Sequence, residues 1–517
     1  MSQALDSDLT KPNDPQIDQQ LEAIRNFKGK YPRQLWYLFF SEMWERFCFY
    51  GMRGMLTFFM VDQLFMDAKA ANLQYGATQA WVYAFTFIGG LFADKILGFR
   101  KSLFWGGLLM ITGSIILAID PKQFFFLGIA FNVVGTGFFK PNISSMVGQL
   151  YHKGDSRRDD GFSLFYAGIN IGALLGGYLC IAIGQGELFS SFVPSGLTWN
   201  IAFGLAAVAM TISLLTFTRT RHQLATIGLS PLKNAMGRTW LWQDIAVYIG
   251  GLAAIPAIMI MVANTKYTDY FMYIIGPFSL IYLGYEMTKS TISEVKKLIA
   301  AMCFILFSIV FWAIFEQAGG SLSLYAANHL NKELLGFITL NPNGVNNAAN
   351  SLFVILFATV VGTLWVWLAK RRKEPNTVVK FGMGFLFLGM GYMLFFSGRF
   401  FADAQGVSSL NMFTFAYFAV TLGELCLSPI GLSIMTKLAP HRLQGFMMGM
   451  WFLASAYGQY VAGLFGASIS PDETATPVEK LNIYTQGYYD FAWYALIAGV
   501  ALIAISPLIR KLMQDVK

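Results

Sequence analysis

Charged residues are scarce in this sequence, and their scarcity indicates the class of protein. Only 13% of the 517 residues are Asp, Glu, Lys or Arg, whereas 55% are hydrophobic and the mean hydropathy is +0.51. Soluble proteins carry roughly 25% charged residues. The composition therefore excludes an ordinary soluble enzyme or binding module, and it predicts an integral membrane protein that crosses the bilayer many times.

Cysteine and histidine are also rare. The four cysteines are Cys48, Cys180, Cys303 and Cys426. They fall in apolar segments without the spacing of metal ligands, so we expect neither a disulfide framework nor a metal site. The four histidines are His152, His222, His329 and His441. They lie in predicted loops or at the ends of predicted spans, so protons that cross this protein are expected to be carried on carboxylates instead.

Two other features are missing from the sequence, a signal peptide and a long basic arm. Residues 1–30 are polar and lack an apolar h-region, so no cleavable signal peptide is expected and the first membrane helix is expected to direct targeting. No long basic arm accompanies the net charge of +8. Since membrane proteins place Lys and Arg in cytoplasmic loops, the charge needs no nucleic-acid partner to explain it.

Fourteen apolar stretches are each long enough to cross about 30 Å of hydrocarbon as a helix. The predicted spans are 34–61, 73–94, 102–119, 123–148, 161–184, 198–217, 242–262, 270–288, 299–324, 345–369, 380–397, 411–438, 443–468 and 484–509. Of the Lys and Arg residues, 28 lie on one side of these spans or within two residues of a span end on that side, six lie on the other side and three lie deeper within the spans. The positive-inside rule then predicts that both termini are cytoplasmic.

The spans divide into two sets of six and an insert of two. The predicted organisation is a tail 1–33, an N-terminal bundle 34–218, a linker with two extra helices 219–298, a C-terminal bundle 299–510 and a tail 511–517. Both bundles are rich in Gly and contain helix-interrupting prolines, Pro141 and Pro429. Paired six-helix halves are typical of a transporter whose site lies near the middle of the membrane.

The first span carries charge inside its apolar sequence, in SEMWERFCFYGMRG at 41–54. Glu42, Glu45, Arg46, Phe49 and Arg53 follow helical spacing and share one face. Each intramembrane charge costs about 2.5–3.5 kcal/mol on insertion scales, so this face must meet a cavity or another helix. One reading is a static salt bridge between helices. The other is a functional site, which is the usual meaning of intramembrane ionisable residues.

Three more charges lie inside later spans. Lys140 is in GTGFFKPNISS, Glu316 in FWAIFEQAGG and Glu424 in TLGELCLSPIGLS. A buried carboxylate that is close to both an acid and a cation can exchange a proton near neutral pH. Several aromatic residues lie on the same or neighbouring helices, where each either packs or lines a site. They are Tyr50, Tyr83, Trp312, Phe315, Trp451 and Phe452.

A second charged cluster lies between the second and third spans, in GGLFADKILGFRKS at 89–102. Asp94 ends one helix, and Lys95, Arg100 and Lys101 follow it. A Gly-rich tight loop with one acid and several bases suits a gating latch between helices. Simple anchoring of the loop on the cytoplasmic side is the alternative, particularly for Lys101.

These stretches resemble the proton-coupled oligopeptide transporters of the major facilitator superfamily. GGLFADKILGFRK resembles the loop motif of the superfamily, and SEMWERFCFYG resembles the ExxERFxYYG motif of the peptide transporters, with Phe49 in place of a Tyr. Further matches are GTGFFKPNISSMVGQLY with RRDDGFSLFYAGINIGAL, FWAIFEQAGGS, and GELCLSPIGLS. The matches run from about residue 33 to 460, and the two extra helices resemble those of bacterial members.

The resemblance implies an all-α integral membrane fold with two six-helix bundles and two additional helices. It implies alternating-access import of dipeptides and tripeptides, driven by protons, across the cytoplasmic (inner) membrane. It indicates no enzyme activity, no cofactor besides the coupling proton, and no obligatory protein partner; the lipid bilayer is the surrounding medium.

The resemblance also implies a role for individual residues. Arg53 and Lys140 would bind the peptide carboxylate, and Glu424 the peptide amine. Proton coupling would depend on Glu42, Glu45, Arg46 and Glu316. The pocket would be lined by Tyr50, Tyr83, Asn170, Asn350, Trp312, Trp451 and Phe452. The gating residues would be Asp94, Arg100 and Lys101.

Two other functions are compatible with the sequence. One is transport of another small solute, such as nitrate or a modified amino acid, on the same fold. The other is a membrane sensor or enzyme without transport, although the sequence shows no Ser-His-Asp, metal or phosphate-binding constellation. Competition of uptake by a dipeptide and by nitrate would separate the two kinds of transporter.

Overall fold

The computed structural model describes residues 15–152, 154–232, 242–427, 431–514 and 516, and most of them are helical. The first half contains α1 Pro15–Arg25, α2 Arg33–Asp62, α3 Ala68–Phe92, α4 Gly98–Ile119, α5 Phe125–Gln149, α6 Arg157–Gly184, α7 Thr198–Thr220 and α8 Trp242–Ala263. A helix bonds all its backbone groups internally, which a chain in hydrocarbon requires.

The second half continues the helical pattern. It contains α9 Thr265–Thr288, α10 Ile292–Phe315, α11 Ser321–His329, α12 Pro342–Lys370, α13 Thr377–Ser397, α14 Leu410–Leu427, α15 Gly431–Leu438, α16 Gln444–Ser468 and α17 Pro477–Met513. Two-residue strands β1 Glu333–Leu334 and β2 Ile338–Thr339 pair antiparallel between α11 and α12. Nine helical segments of the described chain are long and apolar enough to cross a membrane by length and composition alone.

The predicted spans coincide with helices, with two differences inside the chain. The span predicted over 299–324 lies within the apolar segment Ile292–His329, but its helix is interrupted, because α10 ends at Phe315 and a 3-10 turn, Glu316–Gly319, precedes α11. Gly320 takes the angles φ −108° and ψ −111°, which lie outside the helical region. The gap between the predicted spans 242–262 and 270–288 is shorter in the structure, since only Asn264 separates α8 from α9; its side chain caps α9 by accepting from Lys266 N–H.

Four predicted features lie partly or wholly outside the described residues. These are residues 1–14 of the N-terminal tail, residues 233–241 of the linker, residues 428–430 of the span 411–438, which include Pro429, and residues 515 and 517 of the C-terminal tail. Pro141, the other proline expected to interrupt a helix, lies within α5, and this helix continues through it to Gln149. The proline therefore removes one backbone donor beside Lys140 without ending the helix.

The chain forms two compact units. One comprises Met1–Arg53 and Trp81–Ala263, and the other comprises Gly54–Ala80 and Asn264–Lys517. The two extra helices therefore belong to different units, α8 to the first and α9 to the second. The boundaries predicted at 218 and 298 follow the order of spans rather than packing, and they stay a prediction.

Candidate functional site

The charged face of α2 forms a buried ion cluster in the first unit. Arg46 Nε lies 2.9 Å from Glu42 Oε1 and 2.6 Å from Glu45 Oε2. Glu42 and Arg46 are each 2% exposed and Glu45 is 0% exposed. Two buried carboxylates thus share one guanidinium, so the trio carries one negative charge when every member is ionised. A proton on either carboxyl group neutralises it.

The close approach of α6 to α2 is what buries this cluster. A Cβ added at Gly172 would meet the Met43 carbonyl oxygen and would lie 2.9 Å from Arg46 Cβ. Gly176 meets the Phe47 carbonyl in the same way, one turn later. Small residues at such crossings let helix backbones approach closely in a membrane. The glycines of GINIGALLGG therefore help to keep water away from Arg46 and its partners.

Lys140 lies beside this cluster on α5. Its Nζ is 4.3 Å from the centroid of the Tyr83 ring and 5.4 Å from that of Phe49. Arg46 contacts the same Phe49 ring at 5.5 Å. Phe49 thus offers an aromatic ring to two cations, which is favourable through the ring quadrupole. Glu42 also lies within electrostatic range of Lys140.

Of the other predicted first-unit residues, Tyr50 and Arg53 lie on α2 itself and Asn170 lies on α6. Arg53 stands over the Tyr50 ring at 5.7 Å, and both side chains are partly accessible. Asn170 is 6% exposed and donates from Nδ2 to the Tyr166 carbonyl at 2.9 Å, within its own helix. The predicted cations Arg53 and Lys140 are therefore more accessible than the buried coupling trio.

The second unit carries the predicted acids Glu316 and Glu424. Glu424 is partly accessible and accepts from Asn350 Nδ2 at 2.8 Å, and the same nitrogen donates to Thr421 Oγ1 at 3.1 Å. Glu316 is 4% exposed and begins the 3-10 turn that follows α10. The structure therefore brings Asn350 directly to Glu424, and their assignment to a substrate pocket stays a prediction.

The predicted aromatic residues of the second unit differ in their surroundings. Trp312 packs against Phe311 and Phe315, with ring centroids 5.4 Å and 5.2 Å away. Trp451 is 8% exposed on α16, and the neighbouring Phe452 is partly accessible. Trp312 is consequently held in an aromatic group on α10, whereas Trp451 is a largely buried side chain of α16.

The predicted gating residues have separate environments. Asp94 is exposed on a π-helical turn, Ala93–Leu97, that joins α3 to α4. Arg100 is 7% exposed and donates to the carbonyls of Ile227 and Ala225, both at 2.6 Å. Gly98 has φ +73°, and a Cβ there would meet the backbone of Leu229 and Ser230. Arg100 therefore binds the start of the linker.

Lys101 binds the first extra helix instead. Its Nζ lies 2.6 Å from Asp244 Oδ2, and the Asp244 side chain is fully buried at the start of α8. Sequence reasoning missed this partner, which is 143 residues away. The available signal was the single acid in WLWQDIAVY at the head of an otherwise apolar span. The assignment of Asp94, Arg100 and Lys101 to a gate stays a prediction.

Known proteins similar to this chain fit this architecture. A family model described as PTR2, POT family, matches residues 100–477. The chain belongs to the POT family. It is 33% identical over 516 residues to the peptide transporter YePEPT of Yersinia enterocolitica subsp. palearctica, covering 95% of this chain and 97% of that protein. It is 31% identical to a di-/tripeptide transporter of Lactococcus lactis subsp. lactis, covering 95% and 98%.

Solved structures of POT proteins superimpose over nearly the whole chain. The crystal structure of peptide transporter POT in complex with sulfate is 33% identical, with a TM-score of 0.78, and the match covers 98% of this chain and 100% of that one. A mutant of peptide transporter POT in complex with alafosfalin is 32% identical, with the same TM-score and coverage. The predicted family and fold, two six-helix bundles with two extra helices, are therefore confirmed.

Other polar contacts of this POT protein anchor its second extra helix, and sequence reasoning missed them too. Tyr460 OH donates to Asp269 Oδ1 at 2.7 Å, and Arg442 pairs with Glu286. Both acids lie on α9, and both partners come from the segment around α16. The two extra helices are thus bonded to different units, α8 through Asp244 and α9 through these acids.

We expect Asp244→Asn to lower the melting temperature of the detergent-solubilised protein. The change leaves the Lys101 ammonium without its carboxylate, and removing one member of a buried ion pair costs about 3–5 kcal/mol. Lys101 is 28% exposed, so water recovers part of this cost. The control is Asp159→Asn, which alters an exposed acid of the same unit. A melting temperature equal to that of the control would contradict the anchoring role of Asp244.

Proposed function

We propose that this POT-family protein is a proton-coupled symporter that imports dipeptides and tripeptides by alternating access. The observation that carries the proposal is the juxtaposition of accessible Lys140, held over Tyr83, with the buried cluster of Glu42, Glu45 and Arg46. The first is suited to an anionic ligand, and the second to a proton. Relatives named peptide transporter and di-/tripeptide transporter support the same substrate class.

A zwitterionic peptide requires one cationic and one anionic subsite. Arg53 and Lys140 supply the first in this proposal, and Glu424, oriented by Asn350, supplies the second. Recognition of the two backbone ends leaves peptide side chains to aromatic surfaces such as Tyr50, and this tolerates many side chains. The remaining predicted lining residues, Tyr83, Asn170, Asn350, Trp312, Trp451 and Phe452, keep that role as part of the proposal.

Coupling follows from charge balance around Lys140. With the ammonium nearby, Glu42 and Glu45 face two cations and can both be ionised. When a peptide carboxylate engages Lys140, the trio is left with an excess negative charge in a dry site, which favours binding of a proton. Glu316 is proposed as a second proton site. One proton moving inward is worth about 2.3 kcal/mol per 100 mV, which sustains a roughly fifty-fold gradient of a neutral peptide.

The membrane arrangement completes the proposal. We place the protein in the cytoplasmic membrane with both termini inside the cell, because Lys and Arg are concentrated on that side. Protons are the coupling ion, and no other cofactor or protein partner is required. Gating is assigned to the cytoplasmic turn with Asp94, Arg100 and Lys101.

Uptake by proteoliposomes tests the function. Labelled dialanine is expected to accumulate when a proton gradient, acidic outside, is imposed, and only to equilibrate without it. Excess unlabelled dipeptide is expected to compete with the label, whereas nitrate is not. Competition by nitrate, without competition by dipeptides, would instead support the small-anion alternative.

Glu424→Gln is expected to weaken dialanine binding about 10- to 100-fold, since hydrogen bonds to charged groups are worth about 1.5–3 kcal/mol. N-acetyl-dialanine lacks the positive amine, so its affinity is expected to change little. Inhibition constants of both ligands on parent and variant measure the difference. Glu333→Gln, an exposed acid of the second unit, is the control. An equal loss for both ligands would remove Glu424 from the amine subsite and leave it a gating role.

A further inference from the structure

α12 begins with an asparagine-rich sequence, NPNGVNNAANS, which the proposed function uses only at Asn350. Asn343, Asn346 and Asn350 are three and four residues apart and therefore share one face of the helix. Asn343 and Asn346 are 0% and 1% exposed. Buried amides of this kind are normally held by specific partners, since an unsatisfied polar group in the interior is costly. The partners of Asn346 point to a role.

The first partner is the helix discontinuity that carries Glu316. Where α10 ends, the carbonyl groups of its last turn and of the following 3-10 turn lose regular helical donors. Side chains from several elements of the second unit donate to these oxygens. Tyr392 donates to Ile314, Gln317 to Ala313 at 3.0 Å, Asn346 to Ala318 at 2.7 Å and Thr57 to Gly319 at 2.5 Å. The break is thus braced from α2, α12 and α13.

The second partner of Asn346 lies on the helix that carries Glu424. Asn346 Oδ1 accepts from Tyr417 OH at 2.6 Å, and Tyr417 is on α14. One turn further along α12, Asn350 donates to Glu424 and Thr421, and Thr421 Oγ1 donates to the Tyr417 carbonyl at 2.7 Å. Asn346 therefore connects the Glu316 segment with the Glu424 helix through a single amide.

We propose that Asn346 is a positioning residue that fixes the Glu316 segment relative to Glu424. This inference rests on the proposed function, in which Glu316 handles a proton and Glu424 binds the peptide amine. An amide suits the task because it donates to Ala318 and accepts from Tyr417 while adding no charge beside either carboxyl group. Movement of one acid is then transmitted to the other through α12.

The test compares Asn346→Ala with Asn347→Ala. Asn347 is the neighbouring asparagine, but its Nδ2 donates to the carbonyl and Oδ1 of Asn343 within α12, at 3.0 Å and 3.2 Å. Hydrogen exchange over residues 316–323 is measured first. Exchange is expected to accelerate in Asn346→Ala and to match the parent in Asn347→Ala. Unchanged exchange in Asn346→Ala would overturn the brace, whether or not the protein transports peptides.

Transport then separates positioning from mere structural support. Asn346→Ala is expected to lower gradient-driven dialanine accumulation about tenfold, the order expected for loss of a buried hydrogen bond, and to leave peptide counterflow nearly unchanged. An equal fall in accumulation and counterflow, or no fall in either, would overturn the positioning role. If the parent itself does not accumulate dialanine, the proposed function fails, and the exchange result still decides whether Asn346 braces the segment.

A milder variant covers the case in which Asn346→Ala does not fold. Tyr417→Phe removes the hydroxyl that donates to Asn346 but retains a ring beside Phe395 and Phe413, whose centroids are both 5.4 Å away. Tyr417→Phe is expected to accelerate hydrogen exchange over residues 316–323 and to lower the ratio of accumulation to counterflow, as Asn346→Ala does, but to a smaller extent. A Tyr417→Phe protein with parental values of both would overturn the proposed connection between α12 and α14.

Discussion

Glu45→Gln is expected to abolish accumulation of dialanine against a gradient while peptide counterflow continues. Counterflow exchanges peptide for peptide and needs no net proton movement, whereas accumulation requires a group that binds and releases the proton. The glutamine amide has nearly the size of the Glu45 carboxyl group and fits its fully buried site, but it is not protonated near neutral pH. The accumulation ratio is therefore expected to fall from roughly fifty-fold, the limit for one proton at 100 mV, to about one.

The dependence on external pH provides the second readout for Glu45. Parent uptake is expected to rise as the outside is acidified, because the protonated carboxyl group is the competent form. Counterflow by Glu45→Gln is expected to be independent of pH over the same range, unless the second acid of the cluster, Glu42, titrates in its place. Glu42→Gln separates these two sites, and Glu333→Gln serves as the exposed control. Full gradient-driven accumulation by Glu45→Gln would refute its coupling role.

Lys140→Ala is expected to weaken dialanine binding by about 30-fold or more. Truncating one partner of a hydrogen-bonded charge pair that is buried in the complex costs about 2–5 kcal/mol, and each 1.4 kcal/mol is a factor of ten. The Lys140 ammonium also lies over the Tyr83 ring, so Lys140→Ala would leave a cavity beside that ring. Binding of dialanine to purified protein measures the loss directly.

A modified ligand identifies the peptide group that Lys140 recognises. Dialanine amide lacks the carboxylate, so its weaker binding is expected to be similar in parent and Lys140→Ala. Lys140→Arg, which keeps the charge, is expected to recover part of the affinity for dialanine. Lys122→Ala, in an exposed loop, is the matched control. Parental affinity of Lys140→Ala for dialanine would show that Lys140 does not bind the carboxylate.

Most of the helical architecture could be predicted from the sequence. The first span was predicted at 34–61, and α2 is Arg33–Asp62. Agreement this close follows from the bilayer, which requires a long apolar stretch whose backbone is bonded within one segment. The helix break at Glu316 was missed because its surroundings, FWAIFEQAGG, remain apolar. The break depends on donors from α2, α12 and α13, and hydropathy does not report them.

The candidate site was predictable in its charges but less so in its contacts. Spacing along one helix indicated that Glu42, Glu45 and Arg46 share a face, and the structure has Arg46 in contact with both acids. The resemblance assigned Asn350 and Glu424 to one pocket without predicting the hydrogen bond between them, and their role in a pocket stays a prediction. Arg100 and Lys101 were grouped with Asp94 because they are close in sequence, yet they bind the linker and α8.

Composition and the spacing of residues within single helices were enough to predict the membrane class, the order of the helices and the charges that must be kept from lipid. Which distant groups satisfy one another depends instead on how the helices pack. Lys101 and Asp244 are 143 residues apart, and Asn346 lies 28 residues from Ala318. Helical periodicity defines a face but not the helix it meets. Close backbone approaches, such as that at Gly172, set those neighbours and hence the partners of each buried charge.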